Sequence, residues 1–307
     1  MDCTVTRLAL GVAISAFCLV AAPLAVQQSM AQDRMPAIPA DKLTDAQKKA
    51  AEAFAEGRGY QIRGPFVPLI RSPEVMLRAK AMGDYLRFKS TIPPRLNELA
   101  ILITARQWTQ NYEWQAHRPL AEKAGLEMVD APVSGGVGGA TNGTLTFMVG
   151  GSAQAFVRAE SILQKMGRTI VHAGGAGNGQ AAKICNNLIL GISMIAVSEA
   201  FVLAEKLGLD AQTLFDIAAK SSGQCWSLTS YCPVPGPVPT SPANRDYQAG
   251  FTAAMMLKDL LLAQQASASA GAATPLGAEA AQLFSLFVNA GNAGKDFSGI
   301  IKMLDGK

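Results

Sequence analysis

The chain has 307 residues, of which 49% are hydrophobic and 16% charged, with a formal net charge of +4. These values predict a globular protein with room for two domains and exclude an intrinsically disordered chain. The charge is mild and no basic run is interleaved with aromatic residues, so we expect no nucleic acid as a partner. The five cysteines form no CxxC pair and no cluster with histidine, which gives no indication of a metal site. Cys225 and Cys232 could pair in an exported protein, but their spacing alone does not establish a disulfide.

Residues 1–31 have the pattern of a secretory signal peptide. Arg7 precedes an apolar stretch at residues 8–26, and residues 29–31 form a small-x-small cleavage pattern. The alternative is an uncleaved membrane anchor, since the apolar stretch approaches the roughly 20 residues that span a bilayer. Pro23 and the cleavage pattern favour the signal peptide. We therefore expect a periplasmic or secreted protein with no stable membrane span after cleavage.

Residues 32–126 are predicted to form a helical segment. Thr44 is a suitable N-cap, and Gln47 three residues later completes a capping box. Ser72 and Pro73 are typical of the start of another helix. We therefore expect this segment to be helical.

Two motifs near the end of this segment, RLNELAIL and YEWQAH, contain Arg95, Glu98, Glu113 and His117. In these residues the segment resembles the carboxymuconolactone decarboxylase family, whose members include the AhpD-like peroxidases. The resemblance implies two redox cysteines, but Gln110 and Glu113 stand at the matching positions, which excludes thiol peroxidase chemistry for this segment. Glu113 and His117, four residues apart on one helix face, could relay a proton together with Glu98. The alternative is an ordinary charged pair on a helix.

Residues 127–178 are predicted to contain short strands. The stretches LEMVDAPV, GTLTFMVGG and GRTIVHAGG supply them, the second being rich in β-branched and apolar residues. Ser152 is a suitable N-cap for the helix that separates the last two strands. His172 lies at the end of the third stretch, where we favour a structural role over a functional one.

The DAPVSGG motif and the start of the next helix together predict a site for a small hydroxy acid. Ser134, Gly135 and Gly136 are small enough to let successive backbone amides point at one anion. Lys183 and Asn187 lie one helical turn apart on one face. The amide cradle would hold a carboxylate, and Lys183 would meet a hydroxyl group. The alternative is a tight turn followed by a helix with ordinary polar residues.

Residues 179–307 are predicted to be all-helical. A helix over residues 179–207 is apolar on every face in its middle, which is typical of a helix buried between other elements. Glu199 and the polar start of this helix argue against a membrane span. Gly208 ends the helix, and Asp210 caps the next one. A Pro- and Gly-rich loop then precedes two more helices.

Six motifs occur in order after about residue 126: DAPVSGG, GTLTFMVGG, GNGQAAKICNN, SSGQCW, GFTAAMMLKDLLLA and DFSGI. In these motifs the chain resembles the β-hydroxyacid dehydrogenase family, and within it the 3-hydroxyisobutyrate dehydrogenases. The resemblance implies that residues 127–178 are the residual end of a Rossmann-type α/β domain. It also implies that residues 179–307 form a helical domain like that of 6-phosphogluconate dehydrogenase. The expected fold is therefore mainly α with a small β remnant, preceded by the AhpD-like helical fragment.

The resemblance also implies roles for several residues and a set of partners. Lys183 matches the general acid/base that acts on the substrate hydroxyl while NAD takes the hydride, and we expect desolvation to lower its pKa. Lys258 matches a lysine near the nicotinamide end of the cofactor, although it could instead form a surface pair with Asp259. The residues that match substrate contacts are Ser134, Gly135, Gly136 and Asn187. The family implies a small 3-hydroxy acid substrate, NAD as cofactor, a homo-oligomer formed through the helical domain, and a cytoplasmic location for this part.

The sequence lacks the glycine-rich turn with which this family holds its dinucleotide. That turn follows a hydrophobic strand and places the pyrophosphate on a helix N-terminus. The glycines at residues 136–139 and 175–179 already have other places in the dehydrogenase pattern. Because LAEKAGL fits both families, we interpret the chain as a fusion at about residue 126 in which NAD binding is doubtful. The alternatives are an exported carboxymuconolactone decarboxylase-like protein and an inactive chimeric product.

Overall fold

The computed structural model describes residues 35–56 and 58–306. The predicted signal peptide lies outside these residues. The chain divides into two compact units, Met1–Asn97 and Glu98–Lys307. The boundary lies inside the helical segment predicted for residues 32–126, so that segment contributes to both units.

The first unit is built around the helices α1 (Asp45–Ala55), α2 (Phe66–Leu69) and α3 (Pro73–Asp84), followed by a π-helical turn at Tyr85–Lys89. Thr44 and Gln47 form the predicted capping box, and Pro73 lies in the first turn of α3. Both predicted helix starts are therefore confirmed. Helix α1 packs against α3. The buried core of this unit consists of Ala50, Phe54, Ile70 and Met76.

The helices α4 (Pro94–Gln107) and α5 (Asn111–Lys123) come next in the chain and carry the RLNELAIL and YEWQAH motifs. Their helical structure agrees with the sequence prediction. The resemblance of this segment to the carboxymuconolactone decarboxylase family stays a prediction.

The sheet has three strands in the order β1 (Val133–Ser134), β2 (Leu145–Gly150) and β3 (Gly167–Gly174). Strand β1 is antiparallel to β2, whereas β2 and β3 are parallel and are connected by α7 (Ala153–Leu163). The short helix α6 (Gly136–Thr141) lies between β1 and β2. Buried side chains of β2 and α7 form the core of this layer: Leu145, Phe147, Val149 and Leu163.

The first predicted strand is shorter than its sequence suggested. Within LEMVDAPV, only Val133 belongs to the observed strand β1, while Asp130 forms an isolated bridge with Gly150. Pro132 lies between them, and because proline has no backbone N–H it interrupts the ladder. Pro132 contributes only its carbonyl oxygen, which accepts a hydrogen bond from Met148.

The C-terminal part is helical and is organised around α8 (Asn178–Lys206), which confirms the predicted long helix to within one residue at each end. The remaining helices are α9 (Ala211–Ala218), α10 (Trp226–Thr229), α11 (Ala253–Ala270), α12 (Pro275–Phe287) and α13 (Ile300–Leu304). Helix α8 packs against each of these and against β2 and β3. Its length and apolar composition would also suit a membrane span, and such a pattern is shared by core helices of soluble proteins. In the core, Met194 of α8 packs with Met256 and Leu260 of α11 and with Phe284 of α12.

The predicted Pro- and Gly-rich loop is closed by a short 3-10 helix at Pro242–Arg245. The buried carboxylate of Asp296 fixes the end of this loop, since it accepts hydrogen bonds from the Tyr231 hydroxyl and from the amides of Gly250 and Phe251. Cys225 and Cys232 are free thiols in the structure, so no disulfide joins them.

Candidate functional site

The predicted substrate turn lies where β1 meets α6. Gly135 and Gly136 adopt φ values of 132° and 60°, which L-residues with a side chain rarely adopt. A Cβ atom at Gly135 would also lie 3.1 Å from Cδ2 of Leu145, and one at Gly136 would lie 3.3 Å from the carbonyl oxygen of Gly250. The turn therefore needs both glycines. The residues after it form the short helix α6, in which the Gly139 amide donates to the carbonyl oxygen of Gly135 and closes a helical turn.

Lys183 and Asn187 lie one turn apart on α8, as predicted. Lys183 is half-buried, whereas Asn187 is only 1% exposed. Burial lowers the pKa of Lys183 below its ordinary value, and the positive charge of Lys258 lowers it further, while the carboxylate of Asp259 opposes both effects. Among the described residues, the Lys183 amine makes no hydrogen bond. Lys183 therefore retains its donors for a molecule that enters the site.

A buried carboxylate connects this face of α8 with α11. The Asn187 amide nitrogen donates to Oδ2 of Asp259 over 2.5 Å, and the Lys258 amine lies 2.7 Å from Oδ1 of the same carboxylate. Asn186 donates to Oδ1 of Asn187 over 3.0 Å. We call these five residues, Lys183, Asn186, Asn187, Lys258 and Asp259, the lysine cluster. Because one carboxylate holds both Asn187 and Lys258, three of the predicted site residues belong to a single electrostatic group.

Asp259 is the member of the lysine cluster whose importance the sequence reasoning missed. The alternative interpretation of Lys258 and Asp259 as a surface pair fits only Lys258, half of whose side chain is exposed. Asp259 is 8% exposed and lies on the buried face of α11 with Met256 and Ala263. These residues are three before and four after Asp259, so the helical period of MMLKDLLLA contained the signal.

The two halves of the predicted substrate site are not joined by a direct hydrogen bond within the described part of the chain. The turn at Ser134–Gly136 lies against the carbonyl group of Gly250. Phe251, the residue after Gly250, packs edge to face against Phe297. Trp226 is half exposed and stacks on Tyr231. Both side chains therefore take part in aromatic packing.

A second polar group, which we call the histidine cluster, lies between α4 and α5. Nδ1 of His117 is 2.7 Å from a carboxylate oxygen of Glu98, and Nε2 is 3.5 Å from one of Glu113. His117 is 6% exposed. The structure thus brings together the three residues proposed for a proton relay, and both ring nitrogens already face a carboxylate.

His172 is placed as a structural residue. Its Nε2 lies 2.9 Å from the carbonyl oxygen of Gly151, and its ring stacks on Phe156. Within residues 35–56 and 58–306, no group of three or more His, Cys, Asp or Glu side chains is arranged to hold a metal ion.

The described residues do not fit a dinucleotide. No strand precedes Val133 in the part of the chain that the structure describes, so the usual strand, glycine turn and helix are missing there. The glycines at residues 175–179 do follow β3 and open α8, but the Asp130 carboxylate already accepts hydrogen bonds from the amides of Gly177 and Gln180. A pyrophosphate would have to displace this carboxylate and overcome its negative charge.

Two family models match the chain. The first, described as the NAD-binding domain of NADP-dependent 3-hydroxyisobutyrate dehydrogenase, matches residues 177–304. The second, described as the NAD-binding domain of 6-phosphogluconate dehydrogenase, matches residues 42–175. The second match extends over helices α1 to α5, where no strand is described.

Proteins of similar sequence are named 3-hydroxyisobutyrate dehydrogenase or L-serine dehydrogenase. The chain is 50% identical over 195 residues to a 3-hydroxyisobutyrate dehydrogenase of Pseudomonas aeruginosa, covering 62% of this chain and 65% of the relative. It is 48% identical over 185 residues to an NAD-dependent L-serine dehydrogenase of the same organism, covering 60% of this chain and 62% of the relative. The solved structure of Mycobacterium tuberculosis 3-hydroxyisobutyrate dehydrogenase with L-serine is 52% identical and superposes with a TM-score of 0.59.

That superposition covers 63% of this chain and 66% of the solved structure. The chain thus spans less than two thirds of the length of the relatives that it matches. Over the matched residues, the chain is similar to the 3-hydroxyisobutyrate dehydrogenases in sequence and in the fold of its helical domain.

Proposed function

We propose that the chain is a 3-hydroxyisobutyrate dehydrogenase-like oxidoreductase that binds a small 3-hydroxy acid and whose use of NAD is impaired. The observation that carries this proposal is the lysine cluster. It presents a half-buried amine with a lowered pKa and no hydrogen bond of its own within the described residues, beside an asparagine fixed by a buried carboxylate.

The chemistry of the cluster suits the hydroxyl end of such an acid. A lysine whose pKa is lowered by burial gives up its proton more readily than a fully solvated lysine, which suits a general acid/base. Lys183 would take the hydroxyl proton during oxidation, and Asn187 would orient the same end of the molecule. Relatives named for 3-hydroxyisobutyrate and for L-serine both act on small acids with a hydroxyl group on the third carbon, which supports this substrate class.

The carboxylate end of the acid is assigned to Ser134, Gly135 and Gly136. The amides that begin a helix lack intrahelical acceptors, so the start of α6 can donate to an anion. The positive φ values of the two glycines hold these amides at the end of β1. This assignment and that of Lys258 to the cofactor rest on the family resemblance.

The expected impairment follows from the lack of a suitable dinucleotide-binding turn in the described residues. The family names imply NAD, but within the described residues the pyrophosphate turn is missing and the amides at the start of α8 are bound by Asp130. We therefore expect binding of the acid to persist while its oxidation is weak.

Calorimetric titration of the full-length chain with L-serine and with 3-hydroxyisobutyrate, each with and without NAD, tests the proposal. Saturable binding of at least one acid, lost in Lys183→Met and kept in Lys220→Met, is the expected result. Lys220 is an exposed lysine outside the cluster and controls for the loss of one charge. Absence of acid binding in a folded protein would refute the assignment, and efficient NADH formation would refute the impairment.

A second candidate function, an exported protein of the carboxymuconolactone decarboxylase type, is favoured by the histidine cluster. His117 is hydrogen-bonded to Glu98 through Nδ1, and Glu113 lies 3.5 Å from Nε2, so the ring stands between two carboxylates as a proton relay requires. A pocket of about 390 Å³ is lined by residues of α4, by Trp114 of α5 and by residues 126–128, but His117 and its two carboxylates do not line it. Decarboxylation of carboxymuconolactone that is lost in His117→Gln and kept in Lys183→Met would support this candidate over the first.

The location and the assembly of the chain are part of the proposal. We propose export directed by residues 1–31 and self-association through the helical domain. Cell fractionation of the full chain and of a chain lacking residues 1–31 tests the first point, and light scattering of the purified protein tests the second. A full-length chain that stays in the cytoplasm, or a strictly monomeric protein, would contradict the respective statement.

A further inference from the structure

Asp130, the first residue of the DAPVSGG motif, reaches across the fold to the start of α8. Its Oδ1 accepts a hydrogen bond from the Gly177 amide over 2.6 Å, and its Oδ2 accepts one from the Gln180 amide over 2.9 Å. The acceptor and its donors are 47 and 50 residues apart in the chain. One side chain therefore satisfies the amide of the N-cap residue and one amide in the first turn of α8, which would otherwise have no intrahelical acceptor.

The backbone of Asp130 is fixed as firmly as its side chain. Its amide and carbonyl groups exchange two hydrogen bonds with Gly150 at the end of β2, over 2.9 Å and 2.7 Å. A Cβ atom added at Gly179 would lie 2.7 Å from the Asp130 carbonyl oxygen, and one added at Gly150 would lie 2.7 Å from the Gly179 amide nitrogen. The absence of side chains at both glycines thus lets β2, Asp130 and the first turn of α8 meet at backbone distance.

Lys183 follows this fixed turn directly, three residues after Gln180. We propose that Asp130 is a positioning residue, which holds the first turn of α8 against β2 and so sets the depth at which the Lys183 amine lies. This inference rests on the proposed role of Lys183, but it concerns the geometry of the chain alone.

The effect of Asp130 is expected to pass through the backbone. The charged groups that act on Lys183 are Asp259 and Lys258, both on α11, and Asp130 is not among them. If the first turn of α8 loses its regular structure when the Asp130 carboxylate is replaced, Lys183 becomes better solvated. Its pKa then rises toward the ordinary lysine value. A direct charge effect would have the opposite sign, since removal of a negative charge lowers the pKa of a lysine.

Asp210 offers a matched control within the same fold. It caps α9 by accepting from the Thr213 amide over 3.0 Å, but this contact is local and links no sheet to the helix. Asp130→Asn and Asp210→Asn each remove one carboxylate that caps a helix. Only the first weakens the connection between the DAPVSGG motif and α8, since the asparagine side chain can accept from only one of the two amides.

The experiment measures the rate at which an amine-reactive acetylating reagent modifies Lys183 in the full-length chain, as a function of pH and by peptide mass spectrometry. In Asp130→Asn we expect the pH at which Lys183 reaches half of its maximal modification rate to rise by about one unit. At any pH below both midpoints, this shift makes the modification of Lys183 roughly tenfold slower. Asp210→Asn should leave the profile unchanged. Lys206, at the far end of α8, serves as the internal reference in every sample.

Because the modification rate is measured without a ligand, its result tests the role of Asp130 independently of the proposed function. A folded Asp130→Asn protein whose Lys183 profile is unchanged or shifted downward would overturn the positioning role, whether or not the chain binds a hydroxy acid. If Asp130→Asn does not fold, as judged by near-ultraviolet circular dichroism, Asp130→Ser is used, since its hydroxyl can still accept from one amide. An upward shift in that variant supports the inference, and no shift overturns it.

Discussion

The histidine cluster and the lysine cluster both bury charged groups between two helices, yet they differ in what they leave free. In the histidine cluster both nitrogens of His117 face carboxylates. In the lysine cluster the carboxylate of Asp259 is occupied by Asn187 and Lys258, while within the described residues the Lys183 amine has no hydrogen-bond partner. A buried polar group with all its partners present stabilises a fold, whereas one held without a partner costs stability and is available for chemistry. The comparison therefore favours a structural role for His117 and a chemical role for Lys183.

The largest expected effect is the loss of stability on His117→Ala. The side chains of His117 and Glu98 are 8% and 12% exposed, so removal of the imidazole leaves a nearly buried carboxylate without its partner. We expect a destabilisation of about 3 kcal/mol in urea-induced unfolding. Glu113→Gln is the control, since this side chain is 36% exposed and more distant, and its loss should cost less than about 1 kcal/mol. A His117→Ala protein of unchanged stability would remove the structural side of the comparison.

Asp259→Ala comes next, because it leaves the buried Asn187 amide without an acceptor. The expected cost is about 2 kcal/mol in the free energy of unfolding. Binding of the hydroxy acid should also weaken, since Asn187 loses the contact that orients it. Asp216→Ala, at an exposed position of α9, should change stability by less than about 0.5 kcal/mol. If both variants behave alike, Asp259 is an ordinary surface residue after all.

Lys183→Met should increase the stability of the fold, whereas His117→Ala and Asp259→Ala should decrease it. A lysine whose pKa is lowered in the folded state destabilises the fold while it is charged, which is the case below the folded-state pKa. This cost fades as the pH rises through that lowered pKa toward the value of the unfolded chain. We expect the variant to gain up to about 1 kcal/mol near neutral pH and to lose this advantage in alkaline solution.

Urea unfolding at several pH values, with Lys220→Met as the reference, measures this effect. The same Lys183→Met protein should no longer bind the acid. A variant that is destabilised at every pH would indicate that the Lys183 amine contributes to the fold and not to chemistry.

The smallest effect is expected for Lys258→Met. Half of this side chain is exposed, so solvent screens its pair with Asp259 and the cost should stay below about 1 kcal/mol. Removal of its positive charge should raise the pKa of Lys183, since Lys258 lowers that pKa in the native chain. The amine-modification profile of Lys183 measures the shift, and a downward shift would mean that the two lysines do not interact.

Local signals in the sequence predicted most of the fold. The capping residues Thr44, Ser152 and Asp210 begin helices as expected, and Gly208 follows the end of α8. Capping and helical periodicity depend on neighbours within a few residues, so they can be recognised without knowledge of the tertiary structure.

The parts that were missed depend on distant partners. Asp259 was considered as a surface residue because its acceptor role depends on Asn187, which is 72 residues away in the chain. The motif around Asp130 was recognised for its Ser-Gly-Gly turn, while the contact with the start of α8 could not be recognised without the tertiary structure. Periodicity could have identified the first of these residues, but no local pattern indicated the second.

Helix α8 belongs to two layers at once, since it packs against β2 and β3 and also against α11, α12 and α13. At about 1.5 Å per residue its 29 residues extend over roughly 43 Å. Because both layers pack against the same helix, unfolding of one layer destabilises the other. We therefore expect the sheet and the helical domain to melt in a single cooperative calorimetric transition, and to gain and lose their protection from hydrogen exchange together.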